Sequence, residues 1–286
     1  MTLTSEFFSR RAFDADVEEC STNECVQCGL QFQSLGFSDT DVARYYEGYL
    51  DERYFEQRNR SEFFFTRRKF EALHEERNSD ARLAALYSYL SSFMNWGENG
   101  RSLAILDYGG GSGHLISELP GKRFVFDLSG DVPDPKVLAI SESQLVEKSF
   151  DLVVCAQVLE HVTDPVELYR RLYSLVAPGG MLYVEVPFNE TWRDWAGDNK
   201  LRDRVLSFAR RHRTFMIGLD VYGTAFRLGC RVLPPLGFVP VREHLNFFSL
   251  SSLEHLVLKT DAVVVNVSRR RPLGSLLLVR RPLGTE

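Results

Sequence analysis

The chain has 286 residues, of which 44% are hydrophobic and 26% charged, and its formal net charge at pH 7 is −5. This composition excludes a mainly disordered chain, a collagen-like chain and a disulfide-stapled miniprotein. The slight negative charge argues against a broad nucleic-acid-binding surface. No apolar run approaches the ~20 residues that cross a bilayer, and the charged start differs from a signal peptide. We therefore expect a cytoplasmic protein that binds no nucleic acid and does not insert into membranes.

Residues 1–100 are expected to form an N-terminal segment that combines a cysteine-bearing stretch with helices. Residues 1–40 are polar and show little periodicity. Apolar residues then recur at helical spacing, which predicts helices, in DTDVARYYEGYL, SEFFFTRRKFEALHEE and ARLAALYSYLSSF. The stretch 96–102, which contains Gly and Asn, is a linker to the next part of the chain.

Residues 101–286 are expected to form an α/β domain. From Leu103 onward short apolar runs alternate with helical patterns, and this alternation predicts a parallel sheet with crossover helices. Asp164 and Pro165 are typical of a helix start. The predicted strands are LAILDYG, RFVFDLS, KVLAIS, FDLVVCAQV and MLYVEVP, and the predicted helices are HLISEL and DPVELYRRLYSLV, the latter ended by APGG.

Residues 188–240 interrupt this rhythm with several aromatic residues and a run of Lys and Arg. Because they follow the fifth predicted strand, we expect an inserted lid or substrate-binding segment. A further helix is predicted near SLSSLEHLVLKT. The runs AVVVNVS and SLLLVRR flank RRPLG, which predicts an antiparallel hairpin that closes the sheet.

A glycine-rich loop, Asp107–Gly113, lies between the first strand of this region and the following helix. Glycines let the backbone approach a ligand closely, and open parallel sheets bind nucleotide-type ligands at such carboxyl ends. The spacing differs from a dinucleotide fingerprint, because His114 stands where the third glycine would fall, and the loop lacks the Lys-Ser/Thr pair of a P-loop. Asp107 would repel a pyrophosphate and suits an ammonium group. Asp127, at the end of the next strand, can accept hydrogen bonds from ribose hydroxyls.

Three consecutive segments resemble the successive motifs of class I S-adenosylmethionine-dependent methyltransferases: LDYGGGSGH, FVFDLSG and SFDLVVCAQVLEHVTDPVELYRRLYSLVAPGGMLYVEVP. The resemblance is close over residues 103–187 and looser over 241–286. It implies a Rossmann-like, seven-stranded, mostly parallel sheet with an antiparallel C-terminal hairpin. It also implies S-adenosylmethionine as the cofactor and S-adenosylhomocysteine as the product.

The resemblance assigns binding roles to individual residues. Asp107 would hold the ammonium group of the cofactor and Asp127 its ribose hydroxyls, while Leu128 would lie against the adenine. Tyr46 and Tyr54, in a stretch that resembles one methyltransferase subgroup, would close over the cofactor or acceptor, or else pack as an aromatic helix face. The residues expected at the cofactor are Asp107, Gly109, Gly110, Gly111, Gly113, Asp127, Leu128, Ser141, Ala156, Gln157, Tyr46 and Tyr54.

Two Glu-His pairs provide the catalytic candidates. Glu160 and His161 lie beside the expected cofactor cleft, where the imidazole contacts a ligand or packs at the cleft floor. Glu243 and His244 begin a segment that resembles one in a subgroup that includes deoxysugar methyltransferases, although Val241 stands where those enzymes have a tyrosine. A histidine can take the proton of an acceptor near neutral pH. The sequence leaves open which of the two does so.

The chain has five cysteines, and an odd number in a cytoplasmic protein argues against a disulfide framework. Cys25 and Cys28 form a C-x-x-C-G knuckle that the same subgroup also carries, and Cys20 would add a third thiolate to a zinc site. A structural zinc site normally has four ligands. No fourth ligand is evident, so a metal-free remnant is the favoured alternative.

We expect methyl transfer to a small molecule or glycan precursor, most readily at oxygen. The basic run within 188–240 indicates an anionic acceptor such as a nucleotide-sugar, or else a solvated helix face. The alternatives are a non-catalytic S-adenosylmethionine-binding scaffold and a C- or N-methyltransferase that acts on a sugar, a polysaccharide or a protein. A nicotinamide-dependent oxidoreductase is disfavoured by His114. The sequence does not define the oligomeric state.

Overall fold

The computed structural model describes residues 2–16, 18–34, 38–62, 64–96, 102–129, 131–188, 200–230, 234–238 and 240–283. Its helices are α1 (Glu6–Phe13), α2 (Asp39–Tyr46), α3 (Glu52–Ser61), α4 (Arg67–Arg77), α5 (Asp80–Leu90), α6 (Glu142–Leu145), α7 (Pro165–Ser174), α8 (Lys200–Arg211), α9 (Arg213–Cys230) and α10 (Leu250–Val257). Its strands are β1 (Thr2–Leu3), β2 (Glu19–Glu24), β3 (Gln31–Ser34), β4 (Ala104–Tyr108), β5 (Lys122–Phe126), β6 (Leu138–Ala139), β7 (Phe150–Ala156), β8 (Val176–Val186), β9 (Asn246–Phe247), β10 (Val263–Arg269) and β11 (Ser275–Arg280).

The larger sheet has seven strands in the order β10-β11-β8-β7-β4-β5-β6. The strands from β8 to β6 are parallel to one another. The β10-β11 hairpin is antiparallel, and β11 also runs antiparallel to β8. This arrangement confirms the predicted α/β fold class, with its mostly parallel sheet and C-terminal hairpin.

The central strands are hydrophobic on both faces because helices cover both sides of the sheet. Along β8, Leu182 and Val184 face one hydrophobic cluster, whereas Met181 and Tyr183 face the other. This alternation is the two-residue period of a strand. The segment that begins at Ala177, expected only to end a helix, belongs to β8. Gly179 donates its amide hydrogen to the carbonyl oxygen of Arg281 (N···O 2.9 Å), which extends the pairing beyond β11.

Two helix predictions were wrong in detail. The pattern expected as one helix over residues 61–76 is divided between α3, which ends at Ser61, and α4, which begins at Arg67. Thr66 starts the second helix, because its hydroxyl accepts a hydrogen bond from the amide of Lys69 (3.4 Å). The helix expected from HLISEL is only a 3₁₀ turn over His114–Ile116.

A second sheet, with the order β1-β2-β3-β9, forms from residues that were expected to have little regular structure. It joins the start of the chain to Asn246 and Phe247, which pair with β3. Val241 and Leu245 also pack in one hydrophobic cluster with residues of α1 and α2. The second sheet therefore includes residues from both sides of the predicted boundary at residue 100.

The helices α8 and α9 of the inserted segment pack next to this second sheet. Leu206 and Met216 share a hydrophobic cluster with Leu3 and Phe238. The aromatic residues expected near the start of the insertion lie partly in 189–199, outside the described residues. No helix in the described part of the chain has the length and apolarity needed to span a membrane.

We predict that Leu182→Ala destabilises the fold by about 2–5 kcal/mol, because it removes a fully buried side chain and leaves a cavity. Urea unfolding followed by circular dichroism measures the change. Leu258→Ala is the matched control, since Leu258 is 72% exposed and its truncation is expected to change stability by less than about 0.5 kcal/mol. Equal losses in the two variants would contradict the assigned core.

Candidate functional site

A cavity of about 1100 Å³ opens where the strands β4, β5, β7 and β8 end. Its floor includes the glycine loop and the turn that follows β7, and its wall includes residues of α2, α4 and α5. The parallel strands place these ends at one edge of the sheet, which is where ligands of such sheets bind. The cavity is large enough for a nucleoside and a second small molecule.

Asp107, at the end of β4, is the most distinctive polar group at the loop end of the cavity. The residue is 1% exposed, and its Oδ2 has no hydrogen-bond partner among the described residues. Burial, together with the carboxylate of Asp127, raises the pKa of Asp107 from 3.8 to about 7. An unpaired carboxylate in this position is suited to a positively charged ligand group.

The glycine loop is held against β5 by a carboxylate. Asp127 Oδ2 accepts a hydrogen bond from the amide of Gly111 (2.6 Å), and its Oδ1 accepts one from the amide of Ser129 (2.6 Å). Gly111 has a φ of +58°, which disfavours residues with a Cβ. The guanidinium of Arg77 lies directly over Gly111, where a Cβ would collide with it. Asp127 thus supports the loop that was expected to contact the cofactor.

A buried network continues the floor after β7. Arg82 Nη2 lies 2.5 Å from Glu185 Oε1, and the same oxygen accepts a hydrogen bond from Gln157 Nε2 (3.0 Å). Tyr183 donates its hydroxyl hydrogen to Glu185 Oε2 (2.7 Å). Gln157 has a φ of +60°, a conformation that is uncommon for a residue with a side chain and that concentrates at functional sites. The network holds this strained residue at the cavity.

The two predicted Glu-His pairs meet in a second part of the cavity lining. The rings of His161 and His244 lie 4.8 Å apart between centroids. His161 Nδ1 donates to the carbonyl oxygen of Glu243 (2.9 Å), which leaves Nε2 without a proton in the neutral ring. Burial and the neighbouring His244 lower the pKa of His161 to about 4. His161 is therefore neutral at ordinary pH.

Asn246 fixes the relative position of the two pairs. Its Nδ2 donates to the carbonyl oxygens of Leu159 (3.1 Å) and Val162 (2.7 Å). The amide of Leu245 donates to the carbonyl oxygen of Glu160 (2.7 Å). The two hydrogen bonds of Asn246 thereby join segments that lie 84 to 87 residues apart in the chain.

Glu160 is a buried carboxyl group with no hydrogen-bond partner from another described residue. Its Oε1 lies 3.6 Å from His161 Nε2, and burial raises its pKa well above the usual range. The ligand atoms of Glu160, His161 and His244 all lie within 4.8 Å of one another, so these three residues could hold a metal ion. Two imidazoles and one carboxylate suit a transition metal better than magnesium or calcium.

Glu243 is surrounded by groups that favour its ionised form. Tyr49 donates its hydroxyl hydrogen to Glu243 Oε2 (3.3 Å), and Arg58 Nη1 lies 3.8 Å from the same oxygen. Burial opposes ionisation, but Arg58 and the two histidines outweigh it and lower the pKa of Glu243. Arg58 itself is held by Glu62, whose Oε2 accepts a hydrogen bond from its Nε (3.0 Å).

The cavity brings together most of the predicted site residues. Those that line it are Tyr46, Asp107, Gly109, Gly110, Asp127, Leu128, Ala156, Gln157, Glu160, His161, Glu243 and His244. Gly111 and Gly113 lie behind this lining, and Ser141 caps α6 instead. Tyr54 is buried behind the wall, where its hydroxyl accepts a hydrogen bond from Arg58 (2.7 Å).

The predicted zinc ligands Cys20, Cys25 and Cys28 do not form a group that could share a metal ion in the described structure. Among the described residues, such a group of three is formed by Glu160, His161 and His244. Cys20 points into the N-terminal core, and burial raises its pKa to about 12. Cys25 and Cys28 stay near each other in a turn in which the amide of Gly29 donates to the carbonyl oxygen of Cys25 (2.8 Å). Hydrogen bonds from the backbone amides of Cys28 and Gln27 lower the pKa of the Cys25 thiol.

Of the described residues of the inserted segment, 188, 200–230, 234–238 and 240, the cavity lining includes Phe188. Two arginines of the basic run lie elsewhere: Arg210 of α8 is near Glu18 and Glu19, and Arg213, the first residue of α9, is paired to Glu6. Sequence reasoning also missed several cavity residues of the N-terminal helices. These are Tyr49, Arg77 and Arg82, which lie at the cavity because of long-range packing that no local motif indicates.

Residues 73–267, more than half of the chain, match the model of a methyltransferase-domain family. The chain therefore belongs to this family, which confirms the class I S-adenosylmethionine-dependent methyltransferase resemblance of the sequence.

Among curated proteins, the chain is similar to the ubiquinone biosynthesis O-methyltransferases of Pseudomonas aeruginosa strain LESB58 and Pseudomonas entomophila strain L48. The first is 30% identical over 139 residues, which cover 41% of this chain and 60% of the relative. The second is 28% identical over 138 residues, which cover 40% of this chain and 59% of the relative. The chain thus spans about three fifths of the length of these relatives.

Among solved structures, the 1,6-didemethyltoxoflavin-N1-methyltransferase of Burkholderia thailandensis is 14% identical with a TM-score of 0.47, and the match covers 93% of this chain and 100% of that chain. The magnesium protoporphyrin IX methyltransferase of Synechocystis PCC 6803 is 12% identical with a TM-score of 0.46, covering 87% and 100%.

We predict that Glu160→Gln stabilises the protein, and does so more at pH 8 than at pH 5. The folded state holds this carboxyl at a pKa far above its ordinary value of 4.5, so folding opposes ionisation and stability falls as the pH rises above that value. Glutamine removes this penalty. Thermal unfolding at several pH values measures the effect, and Glu147→Gln at an exposed position is the control. A gain that does not depend on pH would contradict the assignment.

Proposed function

We propose that this chain catalyses methyl transfer from S-adenosylmethionine to a hydroxyl group of a small acceptor. The observation that carries the proposal is the buried Asp107 carboxyl group beside the glycine loop, whose Oδ2 has no partner among the described residues, in a cavity that two adjacent histidines also line. A cationic nucleoside is proposed to occupy the Asp107 end of this cavity, and a proton-bearing acceptor the histidine end. The family membership supports the same reaction.

The residues at the loop end fit the cofactor. Asp107 is proposed to hold its ammonium group, and Arg77 and Arg82, which also line the cavity, are proposed to contact its carboxylate. Leu128, which is 62% exposed, offers an apolar surface to a base. When bound, S-adenosylmethionine supplies a methyl group already activated by its sulfonium. The protein then has to orient the acceptor and exclude water.

At the other end, His244 is the proposed general base. His161 is a weaker candidate, because a group with a pKa of about 4 accepts protons poorly at neutral pH. The Glu243 carboxylate interacts electrostatically with His244, which contributes to lowering the pKa of Glu243. His161 packs against His244 and is proposed to position its ring.

The acceptor end is rich in unpaired hydrogen-bonding atoms. Both oxygens of Glu160 and the hydroxyl of Tyr46 are buried without a partner among the described residues. Such atoms favour an acceptor that carries several hydroxyl groups. No described residue of the basic run lines the cavity, so we favour a neutral acceptor over a nucleotide-sugar. The O-methyltransferase names of the curated relatives support oxygen as the target.

A non-catalytic cofactor-binding scaffold is the second candidate, because the unpaired Asp107 alone would account for cofactor binding. The two functions differ at the acceptor end. We predict that His244→Gln lowers kcat at least about 100-fold, the contribution typical of a general base, and leaves the affinity for S-adenosylhomocysteine unchanged. Formation of S-adenosylhomocysteine over a panel of polyols, sugars and phenols measures the reaction. A variant as active as the wild type would contradict the role of His244, and a wild type that binds cofactor but methylates nothing would favour the scaffold.

We predict that S-adenosylmethionine binds more weakly below pH 7, by roughly tenfold per pH unit. Asp107 has a pKa of about 7, so at lower pH it is neutral and must lose a proton before it can pair with an ammonium group. Isothermal titration calorimetry at pH 5.5 to 8 measures the affinity and the proton release. Asp107→Asn should bind weakly at every pH, whereas the exposed control Glu147→Gln should match the wild type. Absence of binding would overturn the proposed function.

A further inference from the structure

The helix α9 has an unusual distribution of polarity. Between residues 214 and 226 its one charged residue is Asp220, and this residue is buried, with Oδ2 2.7 Å from Arg242 Nη2. The outward side carries Thr214, Phe215, Gly218, Val221, Tyr222, Ala225 and Phe226. A surface helix in water normally shows the opposite pattern, with its charges outside and its large apolar residues inside.

The aromatic rings continue from α9 onto α8. Phe208 lies 5.3 Å from Phe215 and Tyr222 lies 5.2 Å from Phe226, measured between ring centroids. We call Phe208, Phe215, Tyr222 and Phe226 the aromatic stripe. Its members are 38–51% exposed. Since soluble surfaces rarely expose contiguous apolar patches, a patch of this kind indicates a binding surface.

Positive charge accompanies the stripe on α8. Arg204 and Arg211 lie four residues before and three residues after Phe208, so they occupy the same side of the helix. Both are exposed, and among the described residues neither is paired with an acidic side chain. A combination of exposed aromatic rings with nearby unpaired arginines complements an anionic lipid surface, where rings enter the headgroup region and arginines meet phosphates.

We propose that the aromatic stripe and these two arginines bind the surface of an anionic phospholipid bilayer. Both helices would lie on the surface, with α9 placing its uncharged side among the headgroups and α8 adding charge attraction. The proposal does not depend on the acceptor or on the reaction, because it rests on residues that do not line the cavity.

Vesicle flotation with the full chain tests the proposal. The protein is expected to float with vesicles of phosphatidylglycerol and phosphatidylcholine, and not with phosphatidylcholine alone. Combined Phe208→Ser, Phe215→Ser and Phe226→Ser should weaken binding roughly tenfold or more. Arg204→Gln with Arg211→Gln should do the same. Tyr87→Ser is the control, because Tyr87 is an equally exposed helical tyrosine away from the stripe (40%).

Three results would overturn the proposal: no flotation of the wild type, equal flotation of the serine variant, or a dimer that the serine substitutions dissociate without any vesicle binding. The last result would mean that a second copy of the chain covers the stripe. Should the triple variant not fold, the arginine variant and the single variant Phe226→Ser decide the question, with circular dichroism as the check on folding. Binding that sodium chloride does not weaken would also contradict the charge component.

Discussion

The hydrogen bonds that tie residues 245 and 246 to the turn after β7 are the constraint on which the rest of the site depends. Asn246 satisfies two backbone carbonyl oxygens of that turn, and Leu245 donates to a third. These groups are largely buried, so leaving them unpaired would cost more than an ordinary hydrogen bond contributes. The same short stretch forms β9 and completes the second sheet. One local tie therefore aligns the N-terminal sheet, the larger sheet and the two histidines.

The site is assembled at some expense of stability. Arg58 is buried, with its guanidinium 4.2 Å from the ring centroid of Phe65 and in ion pairs with Glu62 and Glu243. Buried ion pairs seldom stabilise a fold more than apolar packing would. Their value here is positional, because they hold the Glu243 carboxylate in place. Asp107, without even such a partner, is a larger departure from an optimally stable core.

The larger sheet was predictable because its information is local. Apolar runs with turn signals between them define β4, β7 and β8, and the hairpin follows from the runs around RRPLG. The second sheet was not predictable, since β2 is mostly exposed and polar and β9 has only two residues. Neither has a periodicity that distinguishes it from a loop.

The residues of the site also fall into a part that the sequence predicts and a part that it does not. Asp107 and the glycine loop follow from the order of strand, turn and helix, and both Glu-His pairs were recognisable as motifs. The two Glu-His pairs meet because Asn246 holds their segments together, and Asn246 belongs to no recognisable motif. The arginines at the loop end come from α4 and α5, whose sequences indicate only helices. Contacts between elements far apart in the chain leave no signal in either partner alone.

The N-terminal helices contribute to the cavity from outside the segment that defines the family. The matched family segment begins at residue 73, after Tyr46, Tyr49 and Arg58, which form or support one wall of the cavity. The glycine loop and both Glu-His pairs lie inside the matched segment, whereas one wall of the same cavity is supplied from outside it. A change in the N-terminal helices would therefore alter one wall of the cavity without changing a residue of the glycine loop or of either Glu-His pair.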